Sequence, residues 1–441
     1  MLNKSFFLIA LLSASILAAA AQTHIYVSMS GNNRNEGTKE APLRNIQRAI
    51  DNAVDGSVIH VAEGNYFGTL DRGFIVVNKP VTIIGGYAPD FSKRDVLVHR
   101  TMIQPTPASN GTVEGQGTIQ IQVRRPGVEV VIDGLIIDRG NSISYNARGE
   151  GKPEGVESPM MNAIGTAGIG GADLTTQNVQ TRQITTFYLD NISCDLTIRN
   201  CAFINSPFHG IVGTVQGGKI TITNNIFIGN RFSGVEINGG SATLDAEITF
   251  SYNTVLFTWS RLRDFGDMGY GFRFGNRANS YVTNNIIGLS VFSGIDRTRV
   301  DSDRNREARR VTTAEHNIFF LNKQGDLTLP GGGMFMRINV DQFEDVDQLA
   351  KVAGNKSLTD PSVFKGVINE PYLNGFLNAS YQETANVDPN SPANQLRAAM
   401  GMNIQGTMQS SATMFANRYP WQDALKFFGA IQGYGAQTIK N

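Results

Sequence analysis

The stretch Leu196-Thr-Ile-Arg-Asn-Cys-Ala-Phe-Ile204 is followed by a close copy of itself, Ile220-Thr-Ile-Thr-Asn-Asn-Ile-Phe-Ile228. Three further copies occupy residues 248–256, 281–287 and 313–320. In each copy apolar and polar residues alternate, as in a half-buried strand, until an asparagine or a cysteine is reached. We interpret that position as a corner, because an asparagine side chain can bond the local backbone and tolerate left-handed dihedral angles.

Aligned on the corner, five residues form one column of the repeat: Cys201, Asn225, Asn253, Asn285 and Asn317. Successive members are 24, 28, 32 and 32 residues apart. A period that lengthens while its central phrase is kept is typical of a solenoid whose insertions fall in loops. No amphipathic segment of helix length separates the copies, so leucine-rich and ankyrin-type repeats fit poorly. The repeat therefore predicts an all-β fold, a parallel β-helix.

A second column supports the same fold. It consists of glycines that each precede a short strand: Gly210, Gly234, Gly271 and Gly294. In three coils the glycine lies 9 residues after the corner, and in the coil that carries an insertion it lies 18 residues after it. Two columns in register predict stacked coils from about residue 58 to 325, with the four asparagines of the corner column stacked and buried.

Composition limits the possible partners. The 441 residues contain 38 Lys and Arg and 38 Asp and Glu, so the formal net charge is zero. Nothing in that balance indicates binding to nucleic acid or to an anionic membrane. The length is ample for a solenoid, in which each coil packs only on its neighbours.

Residues 1–21 predict a secretory signal segment. Lys4 supplies the positive start, an apolar run follows, and Ala19-Ala20-Ala21 forms a small-residue cleavage site before Gln22. A retained membrane anchor is the alternative, but the run is short and has no stop-transfer flank. We therefore expect a secreted, periplasmic or cell-surface protein with no membrane span in its mature chain.

The cysteine content is limited to Cys194 and Cys201. The residues between them have the pattern of one strand, which would hold the two ends roughly 20 Å apart. A disulfide requires Cα atoms within about 7 Å. Two free thiols are therefore predicted, with Cys201 standing in for an asparagine of the corner column.

The chain divides into four predicted parts. After the signal segment, residues 22–57 predict a strand and a short helix, at about 45–54, which would cap the open end of the solenoid. Residues 58–330 form the β-helix, and three long loops interrupt it: 139–185, 260–269 and 298–312. Residues 331–441 predict a C-terminal cap region, with short helices at 391–400 and 421–431.

The opening of the mature chain carries a set of phrases that is known from one superfamily: Tyr26-Val-Ser-x-Ser-Gly, Ala41-Pro-Leu, Ile46-Gln-x-Ala-Ile50, Ile59-x-Val and Gly64-x-Tyr66. It resembles the start of secreted right-handed parallel β-helix proteins of the pectin-lyase-like superfamily, most of all those with a DUF1565-type or pectate-lyase-family-9-type segment. The resemblance covers residues 24 to about 330 and implies a right-handed β-helix. It leaves the activity open, because the superfamily includes lyases, hydrolases, epimerases and non-catalytic surface proteins.

A charged row is predicted two residues after the column glycines. The residues there each follow an apolar residue and should point outward: Val212, Glu236, Arg273 and Asp296. Stacked strands lie about 4.8 Å apart, so the three charged side chains should lie side by side on one exposed face. The three long loops are expected to form walls around this face.

A row of phenylalanines is found two residues before three of the glycines: Phe208, Phe232 and Phe292. Apolar columns in solenoids are usually interior, so we expect these rings to stack inside the core. A sugar-stacking platform is the alternative and would require them to point outward. His209, beside this row, and His316 are expected to have hydrogen-bonded structural roles.

The charged row predicts a groove for an acidic polysaccharide. Uronate carboxylates are bound by arginine or Ca²⁺, and the neutralised carboxylate acidifies the proton next to it. A base then removes this proton and the glycosidic oxygen leaves by β-elimination. The candidate catalytic residues are Arg273, as base or clamp, with Glu236 and Asp296. The candidate substrate-binding residues are Arg263, Arg297, Arg299 and Tyr270, and the candidate Ca²⁺ ligands are Asp264 and Asp267.

Two alternatives stay open at this stage. The row can be a salt-bridge ladder across the coils, in which opposite charges on one sheet stabilise each other. The protein would then be a non-catalytic surface or matrix protein that uses the β-helix as a rigid binding scaffold. The family-9 lyase pattern also uses a lysine base, and no lysine occupies an outward column position here.

Overall fold

Each coil of the chain gives one strand to each of three sheets, which we name A, B and C. The structure is a computed structural model, and it describes residues 23–66, 74–104, 117–138, 185–206, 208–240, 246–259, 269–298, 311–331, 334–345, 351–381, 383–405 and 418–440. The predicted signal segment and nearly all of the three predicted loops lie outside these residues.

In the described residues each sheet contains nine strands. Sheet A contains β1 (His24–Val27), β2 (Val58–Ala62), β5 (Thr82–Tyr87), β8 (Glu129–Asp133), β11 (Asp195–Arg199), β14 (Gly218–Thr223), β17 (Ala246–Ser251), β20 (Ala278–Thr283) and β23 (Thr312–Glu315). Sheet B contains β3 (Gly64–Tyr66), β6 (Thr101–Ile103), β9 (Leu135–Asp138), β12 (Ala202–Ile204), β15 (Ile226–Ile228), β18 (Thr254–Leu256), β21 (Ile286–Gly288), β24 (Ile318–Phe320) and β27 (Lys356–Ser357). Sheet C contains β4 (Ile75–Val77), β7 (Gly117–Ile121), β10 (Thr185–Ile192), β13 (His209–Val215), β16 (Ser233–Gly239), β19 (Tyr270–Phe274), β22 (Ser293–Asp296), β25 (Leu327–Gly331) and β26 (Met334–Ile338).

The strands stack in register around one core. In sheet A the inward residues Ile198, Ile222 and Phe250 face each other on neighbouring parallel strands. They join the inward residues of the other two sheets in a single hydrophobic cluster. The predicted right-handed parallel β-helix is therefore confirmed. Its parallel pairing begins earlier than predicted, because β1 already pairs with β2, and it ends with β26, which is antiparallel to β25.

The corner asparagines form a continuous chain of side-chain amides. Asn225, Asn253, Asn285 and Asn317 are fully buried. Each Nδ2 donates to Oδ1 of the next member, at 3.0, 3.2, 2.9 and 2.9 Å, and the last acceptor is Asn355. Each of their backbone N–H groups donates to the same oxygen of the next coil. The predicted stack is confirmed, and it satisfies amides that would be costly to bury alone.

The left-handed residue at each corner precedes the column. Asn200, Asn224, Tyr252, Asn284 and His316 have φ between 53° and 58°. The expectation that the column residues themselves adopt this conformation is therefore wrong by one position. The column asparagines instead use their side chains to bond the coil above and below, and the turn is made by the residue before them.

The glycine column allows close contact between coils. A Cβ on Gly234 would lie 2.5 Å from the carbonyl oxygen of Gly271 in the next coil, and one on Gly210 would lie equally close to that of Gly234. No larger residue fits such an approach without moving the backbone. The sequence predicted a short strand after each column glycine; the strands of sheet C begin one residue before it, so each glycine is the second residue of its strand.

Both cysteines are free and buried, as predicted. Strand β11 lies between them, and the backbone N–H of Cys201 donates to Oδ1 of Asn225 at 2.9 Å. Cys201 therefore occupies the corner column. Burial raises the pKa of the Cys194 thiol to about 11 and that of Cys201 to about 12, so neither is a reactive thiolate at neutral pH.

The N-terminal end is closed by a helix, α1 (Ile46–Asn52). Its buried residues Ile46, Ala49 and Ile50 belong to the same core as the inward residues of the coils. The predicted N-terminal cap is thus present, and it removes the first coil's apolar surface from water.

The C-terminal region contains four α-helices and three 3₁₀ helices among the described residues: α2 (Glu370–Ser380), α3 (Glu383–Val387), α4 (Pro392–Ala399), α5 (Trp421–Ala424), Val340–Asp345, Pro361–Phe364 and Leu425–Phe427. The predicted helices are present as α4 and α5. Their position differs from the predicted end cap, because this region packs along the outer face of sheet B. The end of the core is closed instead by Phe343, whose ring lies 5.3 Å from that of Phe319.

Candidate functional site

The predicted charged row lies on neighbouring strands of sheet C. Val212 pairs with Glu236, Glu236 with Arg273, and Arg273 with Asp296. The residues that precede them in β16, β19 and β22 are Val235, Phe272 and Ile295, and all three belong to the core. Because side chains alternate along a strand, the charged row points away from the core. The prediction that these residues lie side by side is confirmed.

The row is not exposed, which corrects the prediction. Glu236 is 4% exposed, Arg273 is 5% exposed and Asp296 is 0% exposed. Charged groups tolerate such burial when they are paired. Arg273 is paired on both sides, and its guanidinium carbon lies 4.4 Å from the centre of the Tyr270 ring. This ring supplies a cation–π contact that the sequence pattern did not indicate.

The two carboxylates hold Arg273 with different strength. Nε of Arg273 donates to Oδ2 of Asp296, whose Oδ1 also accepts from the backbone N–H of Thr298 at 3.1 Å. Nη1 of Arg273 reaches Oε2 of Glu236 only at 3.5 Å, longer than the usual 2.9–3.0 Å of such bonds. Of the two carboxylates, Asp296 therefore holds the guanidinium more tightly.

Arg273 stays protonated in this arrangement. Burial disfavours its charged form, but the attraction of Asp296 and Glu236 outweighs the burial and raises the pKa above its ordinary value. A guanidinium with a raised pKa does not accept a proton at neutral pH. Arg273 is therefore better suited to binding an anion than to acting as a base.

Part of the guanidinium is still available to a ligand. Arginine has five N–H groups, and the two carboxylates engage Nε and Nη1 of Arg273. Nη2 forms no hydrogen bond with any residue of the described ranges. A ligand oxygen, from a carboxylate or a hydroxyl group, can therefore bind at this nitrogen.

Aromatic rings lie beside the charged row, which corrects their expected place in the core. Phe208, Phe232 and Phe292 belong to neither hydrophobic cluster of the described residues. The rings of Phe208 and Phe232 are half-buried, with centres 4.7 Å apart, and Phe292 lies 5.0 Å from Tyr270. Phe292 and Tyr270 are buried, so only Phe208 and Phe232 are partly open, as a sugar-stacking platform requires. This pair of rings on neighbouring coils is named the aromatic ladder.

The other candidate residues are distributed differently. Arg297 is buried, and its Nε donates to Oγ1 of Thr312 at 3.1 Å, at the corner between sheets C and A. Arg263, Arg299, Asp264 and Asp267 lie outside the described residues, so their roles stay predictions. His209 is hydrogen-bonded as expected, since its Nδ1 lies 2.7 Å from Oγ of Ser233.

The N-terminal part of the chain matches a known protein family. Residues 29–126 match the family described as "Protein of unknown function (DUF1565)". The opening of the chain is thus pectin-lyase-like, and its coils form a parallel β-helix. The resemblance given by the opening phrases is thereby confirmed.

Two curated proteins are similar to short parts of this pectin-lyase-like protein. The "Uncharacterized protein YwoF" of Bacillus subtilis is 44% identical over 48 residues, 11% of this chain and 10% of the relative. "Pectate lyase PEL9" of Emericella nidulans is 34% identical over 109 residues, 24% of this chain and 25% of the relative. The matches thus span a quarter or less of either relative.

Two solved structures are similar to the pectin-lyase-like chain at low identity. The GH136 lacto-N-biosidase of Eubacterium ramulus is 12% identical, with a TM-score of 0.34, and the match covers 69% of this chain and 53% of the other. A rhamnogalacturonan lyase is 13% identical, with a TM-score of 0.30 and coverage of 69% and 74%.

The described residues of this protein contain neither a clustered set of metal ligands nor a membrane-spanning helix. Within the described ranges, no group of three or more His, Cys, Asp or Glu side chains is arranged to hold a metal ion. The predicted Ca²⁺ site depends on Asp264 and Asp267, which those ranges do not include. No helix in the described part of the chain is both long enough and apolar enough to cross a membrane.

Proposed function

We propose that this protein is exported, binds a uronate-containing polysaccharide on the outer face of sheet C and cleaves it by β-elimination. The observation that carries the proposal is the row of Glu236, Arg273 and Asp296, in which two carboxylates flank one guanidinium and engage its Nε and Nη1 but not its Nη2. Similarity to a pectate lyase over 109 residues supports this class of substrate.

The reaction assigns a different role to each member of the row. Nη2 of Arg273 binds the carboxylate of the uronate and spreads its charge, which acidifies the proton on the adjacent carbon. Glu236 removes that proton as the base. The electron pair of the broken C–H bond forms a carbon–carbon double bond, and the glycosidic oxygen leaves with its bonding electrons and is then protonated by water. Asp296 is a positioning residue that holds Arg273.

The insertions of the chain support the choice of sheet C. Residues 139–184 and 260–268 connect strands of sheet B to strands of sheet C, and residues 241–245 and 299–310 connect sheet C to sheet A. Segments that vary in length therefore leave the coils at both edges of this sheet. Arg263 and Arg299, on two of these segments, are proposed to bind further uronates, and Asp264 and Asp267 to bind Ca²⁺.

A non-catalytic binding scaffold is the second candidate, and the burial of the row favours it. The three side chains are at most 5% exposed, and each forms an ion pair with its neighbour on the next coil. A structural ion-pair ladder requires the same arrangement. In that case a glycan would bind to the aromatic ladder, and no bond would be broken.

One experiment separates these functions. Purified protein is incubated with a panel of uronate polymers, with and without Ca²⁺, while the absorbance of newly formed unsaturated ends is followed. The proposal expects turnover by the wild type and its loss in Glu236→Gln, which keeps the size of the side chain and removes the base. Glu247→Gln, an exposed change on the outer face of sheet A, is the matched control. Polymer binding without any unsaturated product would instead establish the scaffold.

A further inference from the structure

The outer row of sheet C changes character along the solenoid. On the N-terminal side of Glu236 the residues in register with it are Val212, Tyr188, Gln120 and Val76. None of these four carries a charge at neutral pH, whereas the three residues from Glu236 to Asp296 are all ionisable. A run of uronate carboxylates lying across the N-terminal half would meet no cation of this row.

The rings of Phe208 and Phe232 lie where this uncharged half meets the charged one, since Phe208 precedes the strand of Val212 and Phe232 precedes the strand of Glu236. Both are half-buried, so part of each ring is open, and their centres lie 4.7 Å apart on neighbouring coils. His209 packs against both rings, at 4.0 and 4.7 Å, and fixes their positions. An open pair of rings is an apolar surface in a polar setting, and the C–H face of a neutral sugar packs well on such a surface.

We infer that Phe208 and Phe232 form a stacking subsite for an uncharged sugar, next to the position where Arg273 binds a uronate. The ligand is then a mixed polysaccharide in which neutral sugars neighbour the uronate, rather than a uronate homopolymer. The inference rests on the proposed function, because it takes Arg273 as the uronate-binding group. It adds the composition of the polymer and its direction, with the neutral part toward the N-terminal end of the solenoid.

The test measures binding in the Glu236→Gln protein, which keeps polymers intact. Isothermal titration calorimetry is carried out with polygalacturonate, with an uncharged galactan and with a polymer of alternating uronate and rhamnose. The alternating polymer should bind most tightly, and Phe232→Ala should weaken it about tenfold, more than it weakens polygalacturonate. Phe232→Leu keeps most of the side-chain volume, so the same loss in that variant excludes unfolding as its cause. Tyr281→Ala, a half-buried ring on the outer face of sheet A, is the control and should change neither affinity.

The possible failures are distinguishable. Tighter binding of polygalacturonate, with equal losses on both polymers in Phe232→Ala, overturns the neutral subsite and leaves the proposed function standing. Absence of binding to every polymer, by the wild type as well, overturns the proposed function and the subsite with it. A change of oligomeric state in Phe232→Ala, seen by light scattering without a change in sugar binding, assigns the rings to a contact between copies of the chain.

Discussion

The outer faces of sheets B and C belong to the same coils but differ in what packs on them. On sheet B the outward residues are apolar, among them Ile204, Ile228 and Leu256, and the chain's own C-terminal region covers them in a second hydrophobic cluster. On sheet C the outward row is charged from Glu236 to Asp296 and uncharged before it, and the second hydrophobic cluster does not extend over it. The inward residues of each coil determine the fold. The outward residues of each sheet determine whether another part of the chain packs on its outer face.

The largest expected effect comes from opening the covered face. Phe257 is fully buried, and its ring lies 5.0–5.5 Å from those of Tyr372, Phe376 and Tyr419. Phe257→Ala should lower the free energy of unfolding by about 3–5 kcal/mol, since a large cavity would remain. Denaturation by urea measures the loss, and Phe232→Ala on sheet C is the comparison, with a much smaller expected cost. Equal losses at the two positions would show that the aromatic ladder is as much a part of the core as the covered face.

An intermediate effect should separate the two carboxylates of the charged row. Asp296→Asn should cost about 1–3 kcal/mol of stability, because it weakens the partner that fixes a buried guanidinium. Glu236→Gln should cost less than Asp296→Asn, because the contact of Glu236 with Arg273 is the longer of the two, at 3.5 Å. Both values are measured by chemical denaturation. A loss at Glu236 as large as that at Asp296 would identify the row as a structural ladder and count against Glu236 as a base.

The smallest effect is expected on sheet A, where a histidine makes stability depend on pH. Burial, together with the nearby His24, lowers the pKa of His60 from 6.5 to about 4. The unfolded chain therefore takes up this proton first as the pH falls, and stability is lost between pH 6.5 and pH 4. The loss should be about 1 kcal/mol or less, because His60 is partly open to solvent. Melting temperatures of the wild type and His60→Phe across this range test it, and parallel profiles would contradict it.

The sequence was sufficient for the features that repeat. The asparagine and glycine columns fixed the coils, and spacing from the glycines aligned Glu236, Arg273 and Asp296 before their register was known. The burial of that row could not be derived in the same way. It depends on contacts such as those of Tyr270 with Arg273 and of Thr298 with Asp296, which follow no repeated spacing. The orientation of Phe208 and Phe232 was also predicted wrongly. Each lies two residues before a column glycine and just outside its strand, where the alternation of side chains no longer applies.

The sequence does contain a signal for the covered face. The strands of sheet B are three residues long and almost wholly apolar, as in Ala202-Phe-Ile204 and Ile226-Phe-Ile228. A strand with apolar residues on both faces is typical of a sheet that is covered on both sides. That pattern predicts a partner for sheet B, and the C-terminal helices were the natural candidates.

The chain of asparagine amides also bears on how such a protein can change over evolutionary time. Coils of 24, 28 and 32 residues are joined by the same hydrogen bonds to asparagine side chains. These hydrogen bonds are therefore independent of the length of chain between them. New segments can therefore be gained, lost or exchanged at the edges of sheet C without disturbing the stack. The β-helix can therefore be conserved while the segments at the edges of sheet C vary. A change in those segments need not pass through an unstable intermediate.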